Sequence, residues 1–123
     1  MPVTDSNWCE GLPVAVTVTT ADGTIVEMNA CSRETFAADG GAALIGRSVF
    51  DCHPEPARSK TRELYAGQAA NHYTIRRSGQ KKIIHQLPWY EGGRFAGMVE
   101  ISIPIPDELP HFDRDAMAAA SLP

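Results

Sequence analysis

The sequence predicts an α+β domain in which two strands come first, short helices follow, and three strands close the chain. Three observations carry this. Residues 14–19 and 24–28 flank Ala21-Asp22-Gly23, and residues 14–19 alternate β-branched apolar side chains with smaller or more polar ones. Residues 57–66 lie between Pro56 and Gly67. Residues 72–77, 81–90 and 95–105 form three further β-rich runs, separated by Ser78-Gly79 and Glu91-Gly92-Gly93. Period-two alternation marks a half-buried strand, and strands and helices gathered in separate runs mark α+β architecture.

The first strand is expected at residues 14–19. Asp22-Gly23 tolerates the positive φ of a tight hairpin, so the chain returns along residues 24–28. Asn29 can cap a helix starting at Ala30, because its side-chain oxygen can accept from an orphaned first-turn amide. That helix fades before Asp39-Gly40-Gly41. Residues 42–51 are expected to be short helical or irregular structure that carries Leu44, Ile45, Val49 and Phe50 into the core. Pro56 suits a helical first turn, where its missing N–H has no intrahelical partner to lose, and Gly67 stops that helix. Pro88 cannot donate a ladder hydrogen bond, so a bulge or strand end is expected near it.

The boundaries expected are a lead segment over residues 1–10, one domain over 11–106 and a tail over 107–123 whose Ala-rich end forms a weak helix. At 123 residues the chain is one domain long. Its 43% hydrophobic and 21% charged residues match an ordinary globular domain. A net charge of -4 gives no long-range pull on phosphate backbones, which argues against nucleic acid as a partner. The basic cluster of Arg76, Arg77, Lys81 and Lys82 brackets the Ser78-Gly79 turn and reads as a solvated hairpin. The N-terminal residues lack a basic and apolar leader, and no run approaches the ~18 apolar residues that span a bilayer. Cys9, Cys31 and Cys52 form an odd, widely spaced set without a CxxC pair. Free thiols in a reducing cytoplasm fit best, and no membrane association is expected.

Four stretches sharpen the element order. They are Gly11-Leu12-Pro13-Val14-Ala15-Val16, then Asp22-Gly23-Thr24-Ile25-Val26-Glu27-Met28-Asn29, then Leu44-Ile45-Gly46-Arg47-Ser48-Val49-Phe50, and finally Gly97-Met98-Val99-Glu100-Ile101. Together, over residues 10–105, they resemble a PAS domain. The run Asp51-Cys52-His53-Pro54 resembles a bacterial PAS subgroup with Cys-His-Pro at this point. The resemblance implies a five-stranded antiparallel sheet with short helices packed on one face, enclosing a pocket for a small molecule or cofactor. It also implies homodimers formed through the outer sheet face or flanking segments, with a signalling protein as partner in trans.

The family's flavin photosensors carry a reactive cysteine two residues after the Gly-Arg pair; here Ser48 and Val49 follow Gly46-Arg47, which argues against flavin adduct chemistry. Its haem-binding members take an axial histidine from the long helix, and residues 57–66 contain none. His53 and His85 remain as haem or metal candidates, with Cys52 beside them, and no cofactor is assigned.

Strand parity groups Ile83, His85, Leu87 and Trp89 on one face of the fourth strand and Ile84, Gln86, Pro88 and Tyr90 on the other. His85 in that apolar stripe is expected to be a partly buried histidine bonded to a backbone carbonyl. His72 groups with Thr74 and Arg76 and should be exposed. Cys52 and His53 are sequence neighbours whose side chains diverge on either a helix or a strand, so they do not make a nucleophile-base dyad. The candidate pocket set is therefore Phe36, Phe50, Cys52, His53, Tyr73, His85 and Trp89, with packing the default role for each aromatic.

Four functions compete: a ligand-binding sensor, a ligand-free dimerisation or docking module, a less favoured haem- or metal-binding redox sensor that uses Cys52 or a histidine, and an enzyme. The strands carry few carboxylates, chiefly Glu27 and Glu100, so no acid-base pair is evident and catalysis is not expected.

Overall fold

The computed structural model describes residues 7–116. The weak helix expected at the Ala-rich end falls on residues 117–123, outside the described residues. In chain order the elements are α1 (Asn7–Glu10), β1 (Ala15–Thr19), β2 (Ile25–Met28), α2 (Ala30–Thr35), two 3-10 turns (Ala37–Asp39 and Gly41–Leu44), α3 (Ala57–Gly67), β3 (Asn71–Arg77), β4 (Gln80–Glu91) and β5 (Arg94–Ile105). The sheet runs β2-β1-β5-β4-β3, every pairing antiparallel. The last strand therefore lies at its centre and joins the opening hairpin to the closing meander.

Asn29 ties three elements together. Its Oδ1 accepts from the amides of Val16 and Ser32, both at 2.9 Å, and its Nδ2 donates to the carbonyls of Cys9 and Val14. All of its hydrogen-bonding capacity is used in a buried position, which fixes where α2 leaves the sheet. Beyond α2, Ile25, Met28 and Leu44 form the buried cluster, with Phe36 and Val49 packed against it.

Several expectations are corrected in detail. Ile45 is 43% exposed, not buried, because Leu44 ends the 3-10 turn in the core and Ile45 then turns outward in an extended conformation. Gly67 is the last helical residue of α3, and Gln68 takes the left-handed cap at φ 50°. The helix starts at Ala57 as expected, with Pro56 immediately before its first residue. The irregularity expected near Pro88 falls between Trp89 and Tyr90, one residue later, while Pro88 itself stays in register with Met98.

Gly97 lies opposite Trp89 and adopts φ 146°. A Cβ there would come within 1.9 Å of the Thr19 carbonyl oxygen, so β5 can pass the end of β1 only with glycine at this point. Among the described residues, no helix is long and apolar enough to cross a membrane.

Candidate ligand cavity

Register places Asn71, Gln86, Glu100 and Thr17 directly opposite one another across β3, β4, β5 and β1. Side chains on one level of a sheet share a face, so these four form a polar row. Gln86 Nε2 donates to Glu100 Oε2 at 3.1 Å, and Asn71 Nδ2 donates to Gln86 Oε1 at 2.9 Å. The direction is forced: a carboxylate accepts only, so Gln86 must present its amide nitrogen to Glu100 and its oxygen to Asn71. Thr17 and Ser32 share a hydroxyl hydrogen bond of 2.6 Å, which carries the row onto α2.

This row faces the helices across a cavity of about 350 Å³. Thr17, Gln86 and Glu100 line the sheet side, Thr61, Leu64 and Tyr65 the α3 side, and Met28, Phe36, Leu44 and Met98 supply apolar walls. Asp39, Arg47 and Cys52 also line it and are exposed, so the cavity opens to solvent along their edge.

The aromatic residues anchor α3 beside this space. Tyr65 hydrogen-bonds through its hydroxyl to Thr19 and stands edge-on to Phe50, ring centroids 5.0 Å apart, and to Phe95 at 6.3 Å. Arg62 lies 4.4 Å over the Phe50 ring. Burial raises the Tyr65 hydroxyl above the ordinary tyrosine range, against the opposing pull of the Thr19 hydrogen bond, with the charges of Glu100 and Asp22 adding to the rise. Tyr73 is raised too, first by burial and then by Glu100.

Of the residues singled out in the sequence, Phe36, Cys52 and His53 line the cavity. His53 Nδ1 donates to the Val49 carbonyl at 2.7 Å, which requires a proton on Nδ1. Phe50 lies against Gly23 and Tyr65, outside the lining. Tyr73 lies on edge strand β3, 42% exposed. Trp89 donates its indole N–H to the Thr19 carbonyl at 3.0 Å and is also outside the lining.

His85 does not make the expected bond to a backbone carbonyl. It alternates with cavity-lining Gln86, so it faces the opposite side of the sheet, where it meets exposed His72 with Nδ1 atoms 2.8 Å apart. Among the described residues, no group of three histidine, cysteine or acidic side chains is arranged to hold a metal ion.

The sequence carries a signal for the polar row: Gln86 shares parity with Ile84, and Glu100 with Met98 and Ser102, all three of these neighbours buried.

The architecture is a five-stranded antiparallel sheet with short helices on one face and a solvent-reaching cavity between them. The PAS-fold family matches residues 9–105, and the chain belongs to that family. PAS domains act as sensory and signalling modules.

Among solved structures, the chain is similar to a C-terminal domain from Streptococcus mutans, with 19% identity, 85% of each chain covered and a TM-score of 0.68. It is similar to the PAS domain of an HTR-like protein from Haloarcula marismortui, with 22% identity, 80% of this chain and 87% of that one covered, and a TM-score of 0.58. It is also similar to the Aer2 receptor of Vibrio cholerae, described as a dual PAS-heme oxygen sensor, with 16% identity, 79% and 98% coverage and a TM-score of 0.57. At these identities the likeness establishes the fold. No curated protein matches the chain by sequence.

Proposed function

We propose that this chain is a PAS sensor that holds a small molecule between sheet and helices and passes its occupancy to a second copy or a partner protein. The observation that carries this is the cavity of about 350 Å³ with a connected polar row on its sheet wall. Compact ligand sites are concave and mostly apolar, with a few convergent polar groups, and span ~300–1,000 Å³.

The outer sheet face supports the signalling half. Ile83, Leu87, Ile101 and Ile103 occupy it by register and are only half-buried, so a second copy would cover apolar surface there. A ligand acts on that association only through different affinities for the two states. Cys9, Cys31 and Cys52 are unpaired, which suits a reducing cytoplasm.

Native mass spectrometry of freshly purified protein tests the reading, combined with sedimentation before and after incubation with a small-metabolite extract. The expected result is a bound small mass released on unfolding, and a dimer fraction that changes with occupancy. Protein that carries no ligand, takes up none and keeps one assembly state throughout would overturn it.

A further inference from the structure

Glu100 projects from the central strand onto the cavity wall, half-buried, with no ion-pair partner among the described residues. Its Oε2 is engaged by Gln86, and Oε1 has no protein hydrogen-bond donor among the described residues. The adjoining groups carry no positive charge: Gln86 and Asn71 are neutral, Thr17 shares a hydrogen bond with Ser32, and Tyr65 shares one with Thr19. Of the charged residues lining the cavity, Asp39 adds negative charge, and Arg47 is exposed without an ion pair to Glu100.

A carboxylate withdrawn from bulk water loses solvation, and a positively charged donor restores it most effectively. The amide relay from Asn71 through Gln86 holds the carboxylate in place, so its free oxygen is a fixed acceptor. The rest of the lining is largely apolar: Leu44 and Leu64 on the helical side, and Met28 and Met98 beside Glu100 on the sheet. We infer that the cavity selects a compact organic cation, an ammonium or amidinium group on a small apolar body, with Glu100 as its counter-ion. This inference rests on the cavity being a ligand site, and it adds the charge and size of what enters.

Three probes of one shape and different charge separate the two ideas: benzamidinium, neutral benzamide and benzoate. Their binding to the whole chain is followed by calorimetry and by mapping of amide NMR shifts. Wild-type protein should bind benzamidinium about tenfold or more tightly than benzamide, the scale of one charge-assisted hydrogen bond, and benzoate weakest. Glu100→Gln keeps an acceptor for Gln86 and should bring the benzamidinium-to-benzamide ratio near one. Glu27→Gln, which removes an exposed carboxylate on β2, should leave that ratio unchanged.

Benzamide and benzoate shifting cavity amides as strongly as benzamidinium would sink the cation inference and leave the cavity reading standing. So would a preference that survives Glu100→Gln. If none of the three shifts the cavity amides of folded wild-type protein, the cation inference falls, while the cavity reading stands or falls on the co-purified mass and metabolite uptake.

Discussion

A Cβ on Gly97 would lie 1.9 Å from the carbonyl oxygen of Thr19, so the central strand and the first strand approach more closely there than any other residue allows. The obstacle is main chain, which cannot swing aside as a flexible side chain would. The φ of 146° adds strain for any L side chain. Gly97→Ala should therefore lose at least about 2 kcal/mol of unfolding free energy, beyond an ordinary glycine substitution. Chemical denaturation measures it. A loss within ~0.5 kcal/mol would mean that β5 can shift away from Thr19. Such a shift would also break the Trp89 to Thr19 hydrogen bond, and tryptophan fluorescence would report it.

Asn29 makes a second, chemically different prediction. Alanine at 29 leaves the amides of Val16 and Ser32 and the carbonyls of Cys9 and Val14 without their side-chain partner. Each buried polar group left unpaired costs ~1–3 kcal/mol, and water can reach some of them, so Asn29→Ala should cost about 2–4 kcal/mol. Asn29→Asp is the sharper test. It keeps the acceptor for the two amides but turns oxygen toward two carbonyls, and it should be at least as damaging as alanine in denaturant titrations at neutral pH. Near-native stability for the aspartate variant would show that the helix cap alone matters.

Asn29 also shows how much of the fold the sequence discloses. Its cap role was legible because capping is local chemistry, read from one residue and the apolar run after it. Its two bonds to Cys9 and Val14 were not, because they depend on where α1 and β1 lie in space. The same divide runs through the cavity. Strand runs and turns follow from period-two patterning, and parity correctly separates Gln86 from His85. Which face meets the helices is a tertiary fact. For that reason His85 and Trp89, attractive in an apolar stripe, lie away from the cavity, while Gln86 and Glu100, polar residues in buried registers, line it. Ile45 illustrates the remaining limit: it and Leu44 are equally apolar, and only the 3-10 turn decides which is buried.

Tyr65 gives a prediction in pH. Its folded hydroxyl is raised by burial, so the folded protein holds that proton to higher pH than the unfolded chain does. Stability from this group is fully present below the ordinary tyrosine range near ~10 and is lost as pH rises through the folded value. Ultraviolet titration of tyrosinate should show a component ionising above the free-tyrosine range that disappears in Tyr65→Phe. Tyr73 is shifted in the same direction and should remain in that variant. An unchanged titration curve in Tyr65→Phe would remove the buried-hydroxyl account of how α3 is anchored to Thr19.

His72 and His85 lie across β3 and β4 with Nδ1 atoms 2.8 Å apart and rings crossed at 71°. Such a bond needs a proton on one Nδ1 and a lone pair on the other, so the two rings must be opposite tautomers. Long-range ¹⁵N–¹H correlation NMR at neutral pH should find one ring protonated at Nδ1 and its partner at Nε2. The pair is open to solvent, so His72→Ala should cost under about 1 kcal/mol, as exposed cross-strand pairs do. Its value is as a reporter. By alternation His85 shares the outer face with Ile83 and Leu87, the surface on which a second copy is proposed to dock, and Ile101 lies directly opposite it on β5. If that docking occurs, the imidazole signals should move with protein concentration, and a charged residue at 101, as in Ile101→Glu, should abolish the movement. Signals that stay fixed across the monomer-dimer range, in a protein that sedimentation shows to dimerise, would place the contact on another surface of the domain.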